Sequence, residues 1–321
     1  MIKDTERQGF YKMKRNQTLL GIILTLVGGC FWGLCGACAQ YLFENENVTS
    51  NFLVPWRMTL AGLLLLVYHL IRSPKTILTP WKSGKDALRL IFYAIFGMAM
   101  CQYAYFATIE LSNAGTATVL QYSAPAMLLI IVCFMERKLP TGNDILAVIC
   151  ASIGVFLLAT HGNFGTLAIS PETLGMGLIA ALAVVAYNLL PRKLMKKYDT
   201  SFLLGWGMFL GGLMLMVALR PWQYNAAITP ALIICMAVII LLGTIGSFTL
   251  YMMGMKIIGP TKAALYACIE PVAAAVLAAV WLKVPFVWMD LVGFALILST
   301  TFILSVPDLK KAARNDKEAA K

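Results

Sequence analysis

Long apolar stretches alternate with short polar breaks along almost the whole chain. Ten of them are near the roughly 20 residues that a helix needs to cross a hydrocarbon core. They cover residues 19–42, 52–71, 88–109, 114–135, 144–161, 173–191, 201–219, 230–255, 261–282 and 286–306. The first, preceded by a polar and basic segment, is longer than the core of a secretory signal and reads as a retained span.

Composition sharpens this picture. Sixty percent of the residues are hydrophobic and 13% are charged. A soluble core of that composition would leave too few polar residues to cover its surface, whereas lipid accepts apolar side chains directly. The net charge of +11 builds no continuous basic face, which excludes nucleic acid as the expected partner. It has a topological source instead. Ten crossings put the basic residues of 1–18, 72–89, 137–138, 192–197, 256–262 and 309 onward on one side, leaving only Arg57, Arg220 and Lys283 of the 26 Lys and Arg on the other. Because loops rich in Lys and Arg stay in the cytoplasm, both termini are expected there, in a multi-pass protein of the cell membrane.

The two halves resemble each other. Phe52 to Val67 aligns without gaps on Phe202 to Val217, pairing Trp56 with Trp206, Met58 with Met208 and Gly62 with Gly212 at an offset of 150. At an offset of 146, Gly97 meets Gly243, Tyr105 meets Tyr251, Pro125 meets Pro271 and Asp144 meets Asp290. Five spans per copy is an odd number, so the second copy enters the bilayer inverted. The predicted fold is an all-α integral membrane protein with ten transmembrane helices in two inverted five-helix repeats. A basic tail (1–18), a first repeat (19–161), a second repeat (162–306) and a second basic tail (307–321) follow in order. Inverted repeats suit alternating access, with a solute site between the halves near the midplane.

Trp32 with Gly33, Trp56-Arg57, Ala114 to Pro125, Glu136 at the end of the fourth stretch and Ile269-Glu270-Pro271 in the ninth together resemble the drug/metabolite transporter superfamily, in its ten-helix branch with two EamA-type repeats. The resemblance covers about 19–306. Trp281-Leu282-Lys283 stands where similar proteins often have Gly-Glu, and Ala124 precedes the proline of the fourth stretch where Glu270 precedes that of the ninth. The resemblance implies a cavity lined by stretches 1, 3, 4, 6, 8 and 9, and a secondary transporter of small metabolites, often amino acids leaving the cell.

Among residues that can carry transport, Glu270 comes first. An ionisable group near the midplane is costly unless it faces a cavity or a partner, and a carboxyl there can hold a proton or face a cationic group. Trp32, Gln102, Tyr105, Gln121, Tyr122, Tyr187, Asn188, Tyr251 and Tyr266 supply amides that need partners in lipid and aromatic faces that can stack on a solute. Interhelical bonding and packing remain open for each. Arg57 opens the second stretch on the outer side, close enough to its end to snorkel, and can gate by pairing with Glu44 or Glu46.

No P-loop is present; Ser83-Gly84-Lys85-Asp86 fails its spacing. His69 and His161, the only two histidines, fall at opposite faces and cannot form a paired-histidine metal site. The eight cysteines all lie in apolar stretches as small hydrophobes. The expectation is therefore a transporter and not an enzyme, with no cofactor and no metal. Its partners are a small-molecule solute, the lipid bilayer and a coupling proton, with a homodimer left open. A nucleotide-sugar or sugar-phosphate exchanger would call for deep Arg or Lys, and none is found well inside a stretch. Efflux of quaternary amines or drugs, or passive conduction through a channel, would also suit a bundle of this kind.

Overall fold

The computed structural model describes the backbone of residues 2–137, 139–161, 168–224 and 226–319, with the side chains of 17–304 apart from 136, 138, 162–167, 225, 260, 261 and 264. The boundary expected at 161/162, the side chains of most of both tails, the Glu136 side chain and Lys138 thus lie outside the described residues.

Among the described residues, eight helices are long and apolar enough to cross a membrane: α1 (Gln17–Asn45), α2 (Ser50–Arg72), α3 (Gly84–Leu111), α4 (Ala114–Met135), α5 (Gly142–Thr160), α6 (Pro171–Lys193), α7 (Thr200–Leu219) and α8 (Pro230–Ile258). Two shorter apolar helices, α9 (Leu265–Val280) and α10 (Trp288–Leu304), take the ninth and tenth places. No strand occurs among the described residues. Leu63, Leu64, Val67, Leu213, Val217, Ile233 and Ile234 are exposed on the outside of the bundle, the surface a lipid solvent accepts.

Helix packing follows the sequence repeat. α2 packs on α7, α5 on α10 and α4 on α9, each helix against its own counterpart. α1 packs on α8 and α9, while its counterpart α6 packs on α3 and α4. The match reaches single residues. A Cβ on Gly62 would collide with Phe209, and one on Gly212 would lie 2.6 Å from the Thr59 nitrogen. Phe209 and Thr59 are themselves 150 apart, so the α2–α7 crossing is made twice by equivalent atoms. Small residues permit such close approach, which drives helix association in lipid. Helix starts repeat too. The Asp144 carboxylate accepts from the Thr141 nitrogen at 2.7 Å, and Asp290 accepts from the Val287 nitrogen at 3.0 Å. The fold is thus two inverted five-helix repeats packed on each other through equivalent helices.

Trp81 packs edge-on against Trp206 at 5.3 Å. Trp222 and Trp288 are exposed at span ends, where interfacial anchors belong.

Candidate functional site

Two pairs of backbone irregularities concentrate at the centre. α4 is broken into Ala114–Gln121 and Ala124–Glu136, and α9, whose helical backbone begins ahead of its apolar stretch at Pro260, into Pro260–Ala267 and Ile269–Val280. Pro125 and Pro271 lie in the first turn of the second halves, where a missing N–H costs no helical bond. α3 and α8 each carry a stretch of wide π-helical turn, Tyr93–Ala99 and Val238–Gly246. Such turns widen the coil, rotate the side chains beyond them and often mark functional sites. The Thr244 hydroxyl bonds the Ile239 carbonyl five residues back at 2.9 Å, closing one turn of the second. Irregular backbone at membrane depth is tolerated where it is buried in protein or lines a cavity.

A cavity of about 740 Å³ lies between the halves. Trp32, Gln102, Tyr105, Gln121, Tyr122, Tyr187, Asn188, Tyr251 and Glu270 all line it, as does Arg57. The cavity reaches the surface between α6 and α7, where Pro191, Arg192, Met195 and Thr200 border it and Met195 is 47% exposed. That is the end carrying the basic loop 192–197. At the other end the chain is packed shut. Tyr105 bonds Thr118 at 2.8 Å, the Gln40 amide oxygen accepts from the Ala114 nitrogen at 2.9 Å, and Tyr41 stacks on Trp281 at 5.5 Å. Leu42, Ile109 and Ala114 around these contacts are fully buried.

Glu270 sits in the first turn after the break in α9. The Tyr122 hydroxyl, at the equivalent break of α4, lies 3.1 Å from its carboxylate and 3.2 Å from the Ala267 carbonyl. Trp32 faces Phe248 at 5.1 Å and Tyr251 at 5.4 Å on α8, where Gly28 lets the α1 backbone approach the Ser247 carbonyl, while Gly29 and Gly33 let α1 touch Ile269, Ala273 and the Glu270 carbonyl of α9. Gln121 reaches the Cys101 sulfur at 3.7 Å, and Asn188 bonds the Val184 carbonyl of its own helix at 2.8 Å.

Two expectations need correction. Arg57 does not snorkel. It lies two turns into α2, about 10 Å from the helix start at 1.5 Å per residue, and is only 4% exposed. Its guanidinium reaches Thr244 at 3.2 Å and Gln102 at 3.0 Å, and its carbon sits 4.4 Å from the Phe106 ring centre. Glu44 and Glu46 bond elsewhere, to Gln40 and Thr229, so no outer gate pair forms and a deep arginine does exist. Tyr266 does not face the cavity. It borders a separate groove with Leu26, Lys262, Leu298 and Phe302, because Ala267 takes the cavity side and adjacent helical residues diverge by about 100°.

Sequence reasoning missed Cys35, Cys101, Phe248, Met252 and Met255, which also line the cavity. Helical spacing offered a signal: Cys35 is three residues after Trp32, and Met255 four after Tyr251.

The EamA-like transporter family matches the chain twice, over 19–160 and 173–306. An uncharacterized inner membrane transporter, YicL, of Salmonella typhimurium strain LT2 is 34% identical over 295 residues, spanning 92% of this chain and 98% of that protein. A protein of solved crystal structure shares the fold with a TM-score of 0.58 at 15% identity, covering 90% of this chain and 96% of its own. With each half matched and a relative aligned nearly end to end, the chain belongs to the EamA-like transporter family, membrane transporters of the drug/metabolite transporter superfamily.

Proposed function

We propose that the protein is a secondary active transporter that exports small metabolites, amino acids foremost, across the cell membrane by alternating access. The observation that carries this reading is the central cavity, built from both repeats, open at the basic-loop end and packed shut at the other. Inverted repeats make a second state of opposite opening nearly equivalent in energy. Basic loops stay in the cytoplasm, so the described state faces inward and both termini are cytoplasmic. The relative's description as an inner membrane transporter agrees with that location. Glu270 is the proposed proton or cation site, and the nine cavity-lining residues expected from the sequence are the proposed solute contacts.

Counterflow into proteoliposomes loaded with unlabelled amino acid tests this. Saturable uptake of labelled amino acid, accelerated by the internal load, is expected. Flux that rises linearly without saturation means a passive channel and removes the reading. The rival reading, an exchanger of sugar phosphates or nucleotide sugars, gains Arg57 and Arg192 at the cavity. It has Glu270 against it, since a dianion would meet a carboxyl on the same wall.

A further inference from the structure

A second groove, of about 530 Å³, opens on the outside of the bundle between α1, α9 and α10. Leu26, Ile269, Val272, Leu298 and Phe302 make most of its wall. Val272 is 44% and Phe302 50% exposed, so a bilayer has lateral access to it. Its polar groups sit at one end. Lys262 and Tyr266 both line it, four residues apart and so on one face of the helix. Lys262 is exposed, in the first turn of α9, and neither side chain has a hydrogen-bond or ion-pair partner among the described residues. Among those residues no acidic side chain lines the groove.

The groove has the depth of one leaflet. Ten residues separate Lys262 from Val272, a rise of about 15 Å at 1.5 Å per residue, which is half of a hydrocarbon core about 30 Å thick. Lys262 follows the short break between α8 and α9 at the basic-loop end, so the apolar floor runs from that interface to the midplane. A lysine at this level reaches the headgroups, and a tyrosine one turn away presents its hydroxyl to the same layer. The positive end of the α9 helix adds to the potential there.

The geometry points to a binding site for an anionic phospholipid of the leaflet at the basic-loop end, with one acyl chain in the groove and the phosphate on Lys262 and the Tyr266 hydroxyl. Net charge decides between headgroups. A zwitterionic headgroup brings an ammonium that finds no acidic acceptor in the groove and competes with Lys262 for the phosphate, whereas an anionic headgroup leaves the phosphate to the lysine. The site lies back to back with the central cavity. At the break in α9, Cys268 and Ile269 line the groove while Ala267 and Glu270 line the cavity, and on α10 Leu298 and Phe302 line the groove while Thr301 lines the cavity. A chain seated there packs against the break that carries Glu270 and backs that wall of the cavity.

The purified full chain in neutral detergent, titrated with dioleoyl phosphatidylglycerol or dioleoyl phosphatidylcholine, tests this by thermal shift and by native mass spectrometry of the retained lipid. Phosphatidylglycerol is expected to bind about five-fold more tightly, the contribution of one lysine at an anionic headgroup. Lys262→Gln removes that preference and Tyr266→Phe weakens it. Lys256→Gln leaves it unchanged, because Lys256 lies within electrostatic reach of Asp199 on α7 instead. Val272→Trp fills the deep end of the groove and lowers the retention of both lipids. Glycerol phosphate, a headgroup without a chain, gives no shift. Equal binding of the two lipids overturns the inference, as does an equal loss of preference in Lys262→Gln and Lys256→Gln, which means diffuse surface charge. A shift with glycerol phosphate as large as with the lipid also overturns it, since the site then takes free phosphate and the groove plays no part. If Val272→Trp fails to fold, the two lipids, glycerol phosphate and the lysine variants still decide. None of these readouts involves solute movement, so the transporter reading stands or falls separately on counterflow.

Discussion

The breaks in α4 and α9 are the same backbone event with different chemistry. Each interrupts a helix after eight residues, Ala114–Gln121 and Pro260–Ala267, and restarts it with proline in the first turn. Yet the residue before the proline is Ala124 in one and Glu270 in the other, and the residue at the first break is Tyr122, where its counterpart at the second is Cys268. Backbone geometry is kept by the repeat, while the carboxyl and the hydroxyl that holds it are divided between the copies. A symmetric frame thus encloses an asymmetric pocket.

The comparison breaks most visibly at Glu270. Glu270→Gln is expected to lower proteoliposome uptake by about ten-fold or more, or to remove its dependence on pH, since a charged contact is lost inside a low-dielectric site. Adding Ala124→Glu moves the carboxyl to the equivalent break, opposite Cys268 rather than Tyr122. Uptake is expected to stay low; recovery would show that the two breaks are interchangeable after all.

Packing is where the halves should behave alike. Gly62→Val and Gly212→Val each force a side chain onto backbone of the partner helix, and each is expected to cost about 1–3 kcal/mol of stability. Denaturation of the two variants in detergent checks this. A large difference between them would mean that the α2–α7 crossing is not shared equally.

Tyr122→Phe removes the hydroxyl from Glu270 and the Ala267 carbonyl and should reduce uptake several-fold, the loss of about 1 kcal/mol of hydrogen bonding. Cys268→Ala, its counterpart, should leave uptake nearly unchanged. Equal losses in the two would place the function of the break in its backbone rather than in the tyrosine.

The repeat and the cavity were largely legible because both are written in residue type. Lipid makes apolar runs obligatory, and it makes a midplane amide, tyrosine or carboxyl such as Gln121, Tyr122 or Glu270 expensive anywhere but facing inward. What escaped depends on distant partners. Arg57 looked like an end residue because its stabilising neighbour Thr244 is 187 positions away, on a π-turn that no local pattern announces. Tyr266 was assigned to the wrong side because the break at Cys268 resets the helical phase, so spacing from Glu270 does not carry back across it.

The smallest expected difference lies at the starts of α2 and α7. Asp199 caps α7, accepting from the Ser201 nitrogen at 2.9 Å and its hydroxyl at 2.7 Å. Its counterpart Thr49 makes no side-chain cap, and its hydroxyl has no partner among the described residues. The Ser50 nitrogen is taken at 2.7 Å by Glu110 from α3 instead. Asp199→Ala should therefore cost about 1 kcal/mol or less, exposure to solvent reducing the charged part, and Thr49→Ala almost nothing. The Ser201 hydroxyl, with help from its N–H and from the nearby His69 and Lys256, holds the Asp199 carboxyl below its ordinary value against the opposing effect of burial. A carboxylate lowered on folding contributes stability that is fully present above its unfolded value of about 4 and is lost as pH falls through the folded one. Melting followed from pH 6 downward should show that loss in the unaltered protein and in Thr49→Ala, and a shallower one in Asp199→Asn, which keeps a capping oxygen but no charge. An identical acid profile in Asp199→Asn would transfer the acid sensitivity to another carboxylate and leave the two helix starts energetically equivalent.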